Sequence, residues 1–245
     1  MLKDKQDAFG HGMLDYYHGT RTSLVIERDD GYIESDNIGL QLYFAEYRDW
    51  PSLERKAMRY TRGRVLDIGC GAGRHSLYLQ QKGLDVVGID NSPLAIEVCK
   101  LRGLRDVRPV PITRIGPQLG VFDTVLMLGN NFGLFGNPDR AKRLLRRLRG
   151  ITSRRGRIIA QSVDPYRTDN PDHLEYHERN RQRGRAAGQI KLRIRYRKYT
   201  TPWWGLLLVS KEEMADIIGG TGWRANICLE TEAGPYIAIL EKTGH

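Results

Sequence analysis

Asp67, Gly69, Gly71 and Gly73 stand at alternate positions between an apolar run at 64–68 and a helical pattern that opens at Arg74. Glycines spaced in this way let the backbone turn into left-handed conformations and approach a ligand closely, and a helix start offers N–H groups that lack partners. A nucleotide-like guest suits such a turn. A second mark lies 17 residues beyond Gly73, where Asp90 closes the next strand-like run, 85–89. A carboxylate there is placed to accept hydrogen bonds from the hydroxyls of a bound ribose. The dinucleotide fingerprint G-x-G-x-x-G is not met, because Arg74 occupies the place of its last glycine. That mismatch weighs against a nicotinamide enzyme.

The elements that must position these residues alternate between short apolar runs and helical stretches, the pattern of an α/β sheet. Strands are expected at 64–68, 85–89, 107–110, 121–128 and 157–161, and helices at 74–81 and 93–101. Ser92-Pro93 supplies an N-cap and a first-turn proline for the second helix. Asn137-Pro138 opens another, in which Ala141, Leu144, Leu145 and Leu148 form one apolar stripe. The polar stretch 164–188 breaks the alternation and reads as an insertion. After it, Lys191, Arg193, Arg195 and Arg197 alternate with Leu192, Ile194 and Tyr196, so this strand has one basic and one apolar face, and 203–209 is expected to pair back on it. Ser210 caps a helix at 211–218, and 223–231 with 236–241 form a closing antiparallel pair around Glu232-Ala233-Gly234-Pro235. Ahead of the first sheet strand, a hairpin at 25–33 and a helix at 52–60 are expected.

With Asp67-Ile68-Gly69-Cys70-Gly71-Ala72-Gly73 followed by Val87-Gly88-Ile89-Asp90-Asn91-Ser92-Pro93, the sequence resembles the class I S-adenosylmethionine-dependent methyltransferases. The resemblance covers 64–161 well and 210–241 by element order. It implies a Rossmann-like, seven-stranded, mostly parallel sheet with an antiparallel last strand, here carrying an N-terminal extension or lid (1–63) and, within the domain 64–245, an insertion (164–209) that shapes the acceptor site. It further implies S-adenosylmethionine as cofactor, with Asp67, Gly69 and Gly71 on its methionine and ribose side and Asp90 on the ribose hydroxyls. Asn91 and Ser92 lie beside the adenine, Leu128, Gly129 and Asn130 lie under the methionyl part, and Cys70, Gly73 and His75 complete the set. Where the family often has an adenine-binding acid, this chain has Pro111-Ile112-Thr113. Adenine contacts therefore fall to Ile112 and Thr113.

Methyl transfer asks mainly for alignment and desolvation, since a sulfonium is already activated. Asn131 and His75 are the candidates for a role toward the acceptor, each with a duller reading as a turn-forming or packing residue. Tyr43, Tyr47 and Trp50 are candidates to close over a sulfonium or to pack in the core. Asn130-Asn131-Phe132-Gly133 lacks the prolines of the tetrapeptide used by adenine amino methyltransferases. His173 and His177, four apart, are not completed into a metal site, and none is expected.

The net charge is +10, and it is segregated. Nine Lys/Arg face one acid over 139–157, and nine face none over 179–198. Such segments serve either as solvated faces or as a footprint for a polyanion. A small-molecule acceptor is preferred. An RNA methyltransferase using the Arg-rich insertion, with Tyr196, Tyr199, Trp203 and Trp204 as stacking partners, is the alternative, and a non-catalytic cofactor-binding module is a third; DNA is not expected. The longest apolar stretch, 203–209, falls far short of the about 20 residues of a membrane span. With no secretory signal and three irregularly spaced cysteines, Cys70, Cys99 and Cys228, the chain reads as cytoplasmic and reduced.

Overall fold

The computed structural model describes all residues except 21–22, 36–38, 232–233 and 245. Helix α1 (Ala8–Tyr17) leads into strands β1 (Val25–Arg28) and β2 (Ile33–Ser35), and α2 (Ser52–Ala57) comes next. There follow β3 (Val65–Ile68), α3 (Arg74–Gln81), β4 (Val86–Asp90), α4 (Pro93–Leu101), β5 (Asp106–Pro109), β6 (Phe122–Met127), α5 (Pro138–Gly150) and β7 (Thr152–Val163). The chain continues with α6 (Pro171–Gln182), β8 (Gln189–Tyr196), β9 (Tyr199–Thr200), β10 (Trp204–Leu207), α7 (Lys211–Ile218), β11 (Trp223–Glu230) and β12 (Pro235–Lys242).

Seven strands make one sheet in the order β11, β12, β7, β6, β3, β4, β5. Pairing is parallel for β3 with β4, β4 with β5 and β6 with β7, and antiparallel for β12 with both β7 and β11. This is the expected Rossmann-like, seven-stranded, mostly parallel sheet with antiparallel pairing at its C-terminal end. A second sheet runs β10, β8, β1, β2, with β9 on β8. Among the described residues no helix is long and apolar enough to cross a membrane.

The chain clusters into two compact units. The first comprises Met1–Pro51, Arg64–Arg114 and Leu192–Trp204. In it every residue of β3 is buried, as befits a strand covered on both faces. Helix α4 buries Ile96 and Cys99 against Cys70, Leu104 and Val107, and a second cluster joins Ala8, Met13, Leu24 and Leu40 to Ala72, Ala95 and Val98. The N-terminal hairpin forms where expected, Val25 facing Ser35, but β1 also pairs with β8, Val25 facing Arg195 and Arg28 facing Leu192. Helix α1 has no counterpart in the sequence reading, because Gly10 and Gly12 look like helix breakers. Packing demands them: a Cβ on Gly10 would collide with Ser92 Oγ, and one on Gly12 would lie 2.9 Å from Leu24 Cδ2.

The second unit comprises Ser52–Gly63, Ile115–Lys191 and Gly205–His245. Its α5 buries the stripe Ala141, Leu144, Leu145 and Leu148, and the indole N–H of Trp223 donates to Leu145 O at 2.9 Å. Strand β7 begins five residues before the expected start, because β6 pairs Phe122 with Thr152 ahead of a register shift. The inserted stretch is not all loop: Asn170 accepts the Asp172 N–H at 2.9 Å and starts α6. Helix α7 carries a reciprocal cap, Ser210 Oγ accepting from Glu213 N–H and Glu213 Oε2 from Ser210 N–H. Of the expected closing turn, Glu232 and Ala233 lie outside the described residues.

Candidate functional site

The first unit holds most of the predicted residues. Gly69, Gly71 and Gly73 all lie in the left-handed region, at φ 71°, 54° and 79°. This backbone path suits glycine, since a Cβ costs roughly 1–2 kcal/mol there. Gly69 and Cys70 donate to Ile89 O at 2.8 and 3.1 Å, which ties the loop to the end of β4. The two oxygens of Asp90 are then oriented by backbone donors, Oδ2 by Gly71 N–H at 3.1 Å and Oδ1 by Ser92 N–H at 2.9 Å. Burial is the main force on this half-buried carboxyl and pushes it up to about 6. Each oxygen keeps a lone pair for a further donor.

Asp67 sits deeper. Only 2% exposed, it accepts the Ser76 hydroxyl at 2.6 Å, and burial pushes its carboxyl up. That bond fastens the end of β3 to α3. The Cys99 thiol donates to Gly71 O at 3.1 Å under the loop. Tyr43 also stands against the loop, its Cδ1 3.4 Å from a Cβ built on Gly71. Tyr47 and Trp50 instead pack along α3, Tyr47 stacked on Tyr78 at 4.4 Å and Trp50 edge-on to His75 at 4.7 Å. His75 is buried, and its place against Trp50 is a packing contact. At the adenine positions, Ser92 is buried as the N-cap of α4, Asn91 is exposed, and Ile112 and Thr113 share a short 3-10 turn.

The second unit carries Leu128 to Asn131. Leu128 is buried, and Gly129 N–H donates to Gln161 Oε1 at 2.7 Å, so the turn after β6 is held by β7. Asn130 adopts a left-handed φ of 62°, and its Oδ1 is buried without a hydrogen-bond partner. Asn131 opens a 3-10 turn that buries Phe132 and Phe135 edge to face at 5.1 Å. Among the described residues no three His, Cys, Asp or Glu side chains are grouped to hold a metal. His177 is buried in α6, and His173 Nδ1 lies 3.3 Å from Thr168 Oγ1.

A glycine turn fastened to the acid of the neighbouring strand, in a seven-stranded sheet closed by an antiparallel strand, defines a Rossmann-like protein for nucleoside-bearing ligands. The family described as "Methyltransferase domain" matches residues 65–156. A S-adenosylmethionine-dependent methyltransferase from Bacteroides fragilis, solved with S-adenosyl-L-homocysteine, is similar over 99% of this chain and 97% of its own, at 28% identity and a TM-score of 0.84. Residues 65–156 thus carry a methyltransferase domain, and along its whole length the chain has the fold of a class I S-adenosylmethionine-dependent methyltransferase.

Curated relatives match over shorter segments. A ubiquinone biosynthesis O-methyltransferase of Bordetella avium is 38% identical over 68 residues, 25% of this chain and 28% of that protein. A tRNA U34 carboxymethyltransferase of a Geobacter species is 40% identical over 73 residues, 27% of this chain and 23% of that protein. The chain thus spans less than a third of the length of either relative. The family's cofactor is S-adenosylmethionine, and the donor set fits it. The Asp90 carboxylate is oriented by two backbone N–H groups and could accept hydroxyl donors, and the Gly71 N–H that a phosphate would need is already bonded to that carboxylate.

Two neighbours of the site escaped the sequence reading. Asp7 bonds Ser92, and Ser76 bonds Asp67. The Asp-Ala pair at 7–8 is an N-cap signal, obscured by the glycines behind it.

Proposed function

We propose that this protein transfers the methyl group of S-adenosylmethionine to a nucleophilic atom of a small-molecule acceptor. The observation that carries the cofactor half is the Asp90 carboxylate held by the Gly71 and Ser92 N–H groups. Bound cofactor supplies an electrophilic methyl on a sulfonium, so no strong general base is required of the protein. Asp90 accepts the ribose hydroxyls, and the glycine loop brings backbone close to the ligand. Ser92, Asn91 and the Ile112–Arg114 turn border the adenine. The orphaned oxygen of Asn130 supports a ligand-facing role for the end of β6, because a buried acceptor without a donor costs about 1–3 kcal/mol.

The relatives' names cover both acceptor classes, one from ubiquinone biosynthesis and one a tRNA. What favours a small molecule lies in the basic strand. Arg193 and Arg195 bond Glu27 at 2.8 and 3.2 Å, and Arg197 bonds Asp15 at 2.8 Å. Tyr196 is buried, Tyr199 stacks on His11 at 3.5 Å, and Arg193 covers the Trp203 ring at 4.6 Å. These groups already have carboxylate or ring partners, so the strand is a poor phosphate platform.

Incubation with methyl-labelled donor and either a desalted metabolite extract or total RNA tests the reading. Label in small molecules is expected. Label in RNA would transfer the assignment to the RNA reading, and donor binding without transfer to any fraction would favour a non-catalytic module.

A further inference from the structure

Asp7 lies outside every motif that points to the cofactor, yet it is fully buried and, among the described residues, meets three hydrogen-bond donors and no cation. Its Oδ1 accepts Gly10 N–H at 3.1 Å, and its Oδ2 accepts Ser92 Oγ–H at 2.8 Å and Leu94 N–H at 3.1 Å. One carboxylate therefore caps α1 and helps to cap α4. Ser92 passes the constraint on: its Oγ accepts Ala95 N–H at 2.9 Å, while its own N–H holds Asp90 Oδ1 at 2.9 Å.

The same face of the N-terminal segment is tied elsewhere at helical spacing. Four residues on, His11 bonds Asp4 at 3.0 Å and stacks on Tyr199. Four further on, Asp15 accepts the Tyr196 hydroxyl at 2.8 Å and pairs with Arg197. Only the first of these three attachments reaches the ribose acid.

We propose that Asp7 is a positioning residue for cofactor binding: through Ser92 it fixes the orientation in which Asp90 meets the ribose. Two strained alternatives follow from its loss. Either the Ser92 hydroxyl and Leu94 N–H remain buried without an acceptor, or the 91–94 turn moves to find one and carries Asp90 with it. This inference rests on the cofactor reading above.

The charged and titratable neighbours of Asp90 are Asp7 and the Cys70 thiol, and the N–H groups of Gly71, Asn91 and Ser92 bond to it. After burial, the negative charge of Asp7 is what holds the Asp90 carboxyl up. Removing that charge therefore lowers the pH at which binding fails.

Calorimetry with S-adenosylhomocysteine tests the inference on three variants. Asp7→Asn places a donor where acceptors are needed. Asp7→Ser keeps a good cap for α1 but is too short for Ser92. Asp15→Asn loosens α1 at its far end. The two Asp7 variants are expected to bind about tenfold more weakly at neutral pH, the loss of one hydrogen bond to a charged group. The midpoint of the Asp7→Asn binding profile is expected below that of wild type, and Asp15→Asn to bind within about twofold of wild type. Equal binding by wild type and both Asp7 variants would overturn the inference, as would equal weakening by Asp15→Asn. Failure of wild type itself to bind would overturn the cofactor reading instead.

Discussion

The Gly71 N–H points at Asp90 Oδ2, 3.1 Å away, so the glycine loop after β3 and the acid that ends β4 form one rigid unit. The loop is shaped around a carboxylate of its own chain. It is therefore suited to hydroxyls and a sulfonium more than to a pyrophosphate.

Replacing Asp90 by Ala should weaken S-adenosylhomocysteine binding by tenfold or more and also lower the thermal midpoint, since the carboxylate that accepts the Gly71 and Ser92 N–H groups is lost. Calorimetry and a melting curve on the same preparation check this. Tight binding by the variant would remove the ribose assignment.

Donor binding should also depend on pH through Asp90. Its carboxyl is pushed up to about 6, chiefly by burial, so affinity is expected to fall as the pH drops through that value. For the folding of the unliganded protein the sign is opposite. A raised folded-state pKa means that the native state binds more protons between the unfolded value of 3.8 and about 6. The contribution of Asp90 to stability therefore declines as pH rises across that window and is constant above it. Comparison of wild type with Asp90→Asn isolates both effects.

Gly71→Ala would force a side chain into a φ of 54° with Tyr43 3.4 Å from the new methyl. A stability loss of roughly 1–2 kcal/mol is expected from the backbone alone, together with weaker donor binding. Denaturant titration and calorimetry measure the two. Unchanged binding would show that the loop tolerates a right-handed path there.

Leu145→Ala would open a cavity under α5, where Leu145 is fully buried, and should cost about 2–5 kcal/mol in denaturant unfolding. A smaller loss would mean that the stripe is not the packing face of the helix.

The pairing of Glu27 with Arg193 and Arg195 predicts weak, salt-sensitive RNA binding by wild type that strengthens when Glu27 is changed to Gln. Filter binding of a short RNA over a range of salt concentrations reads this out. Strong wild-type binding at physiological salt, unaffected by Glu27→Gln, would return the RNA acceptor to the front.

Some of this was present in the order of residues alone. Asp67, Gly69, Gly71, Gly73 and Asp90 define a turn and an acid through local chemistry, and the runs around them are apolar at the period of a covered strand. Helices α3 and α7 lie where their patterns place them, and α4 and α5 begin where their caps place them. The methyltransferase domain at 65–156 follows from these short-range features. What lay beyond the sequence depends on contacts between distant residues. The pairing of β1 with β8, some 170 positions apart, placed Glu27 under Arg193 and converted an apparent polyanion face into ion pairs. Helix α1 forms although it contains two glycines, because tight packing against Ser92 and Leu24 leaves no room for a Cβ. Asp7 finds Gly10 N–H locally but acquires the Ser92 hydroxyl and Leu94 N–H only when the chain returns 85 and 87 residues later, so its burial is decided by tertiary structure. Periodicity records which side of an element is covered, and only the folded chain decides by what.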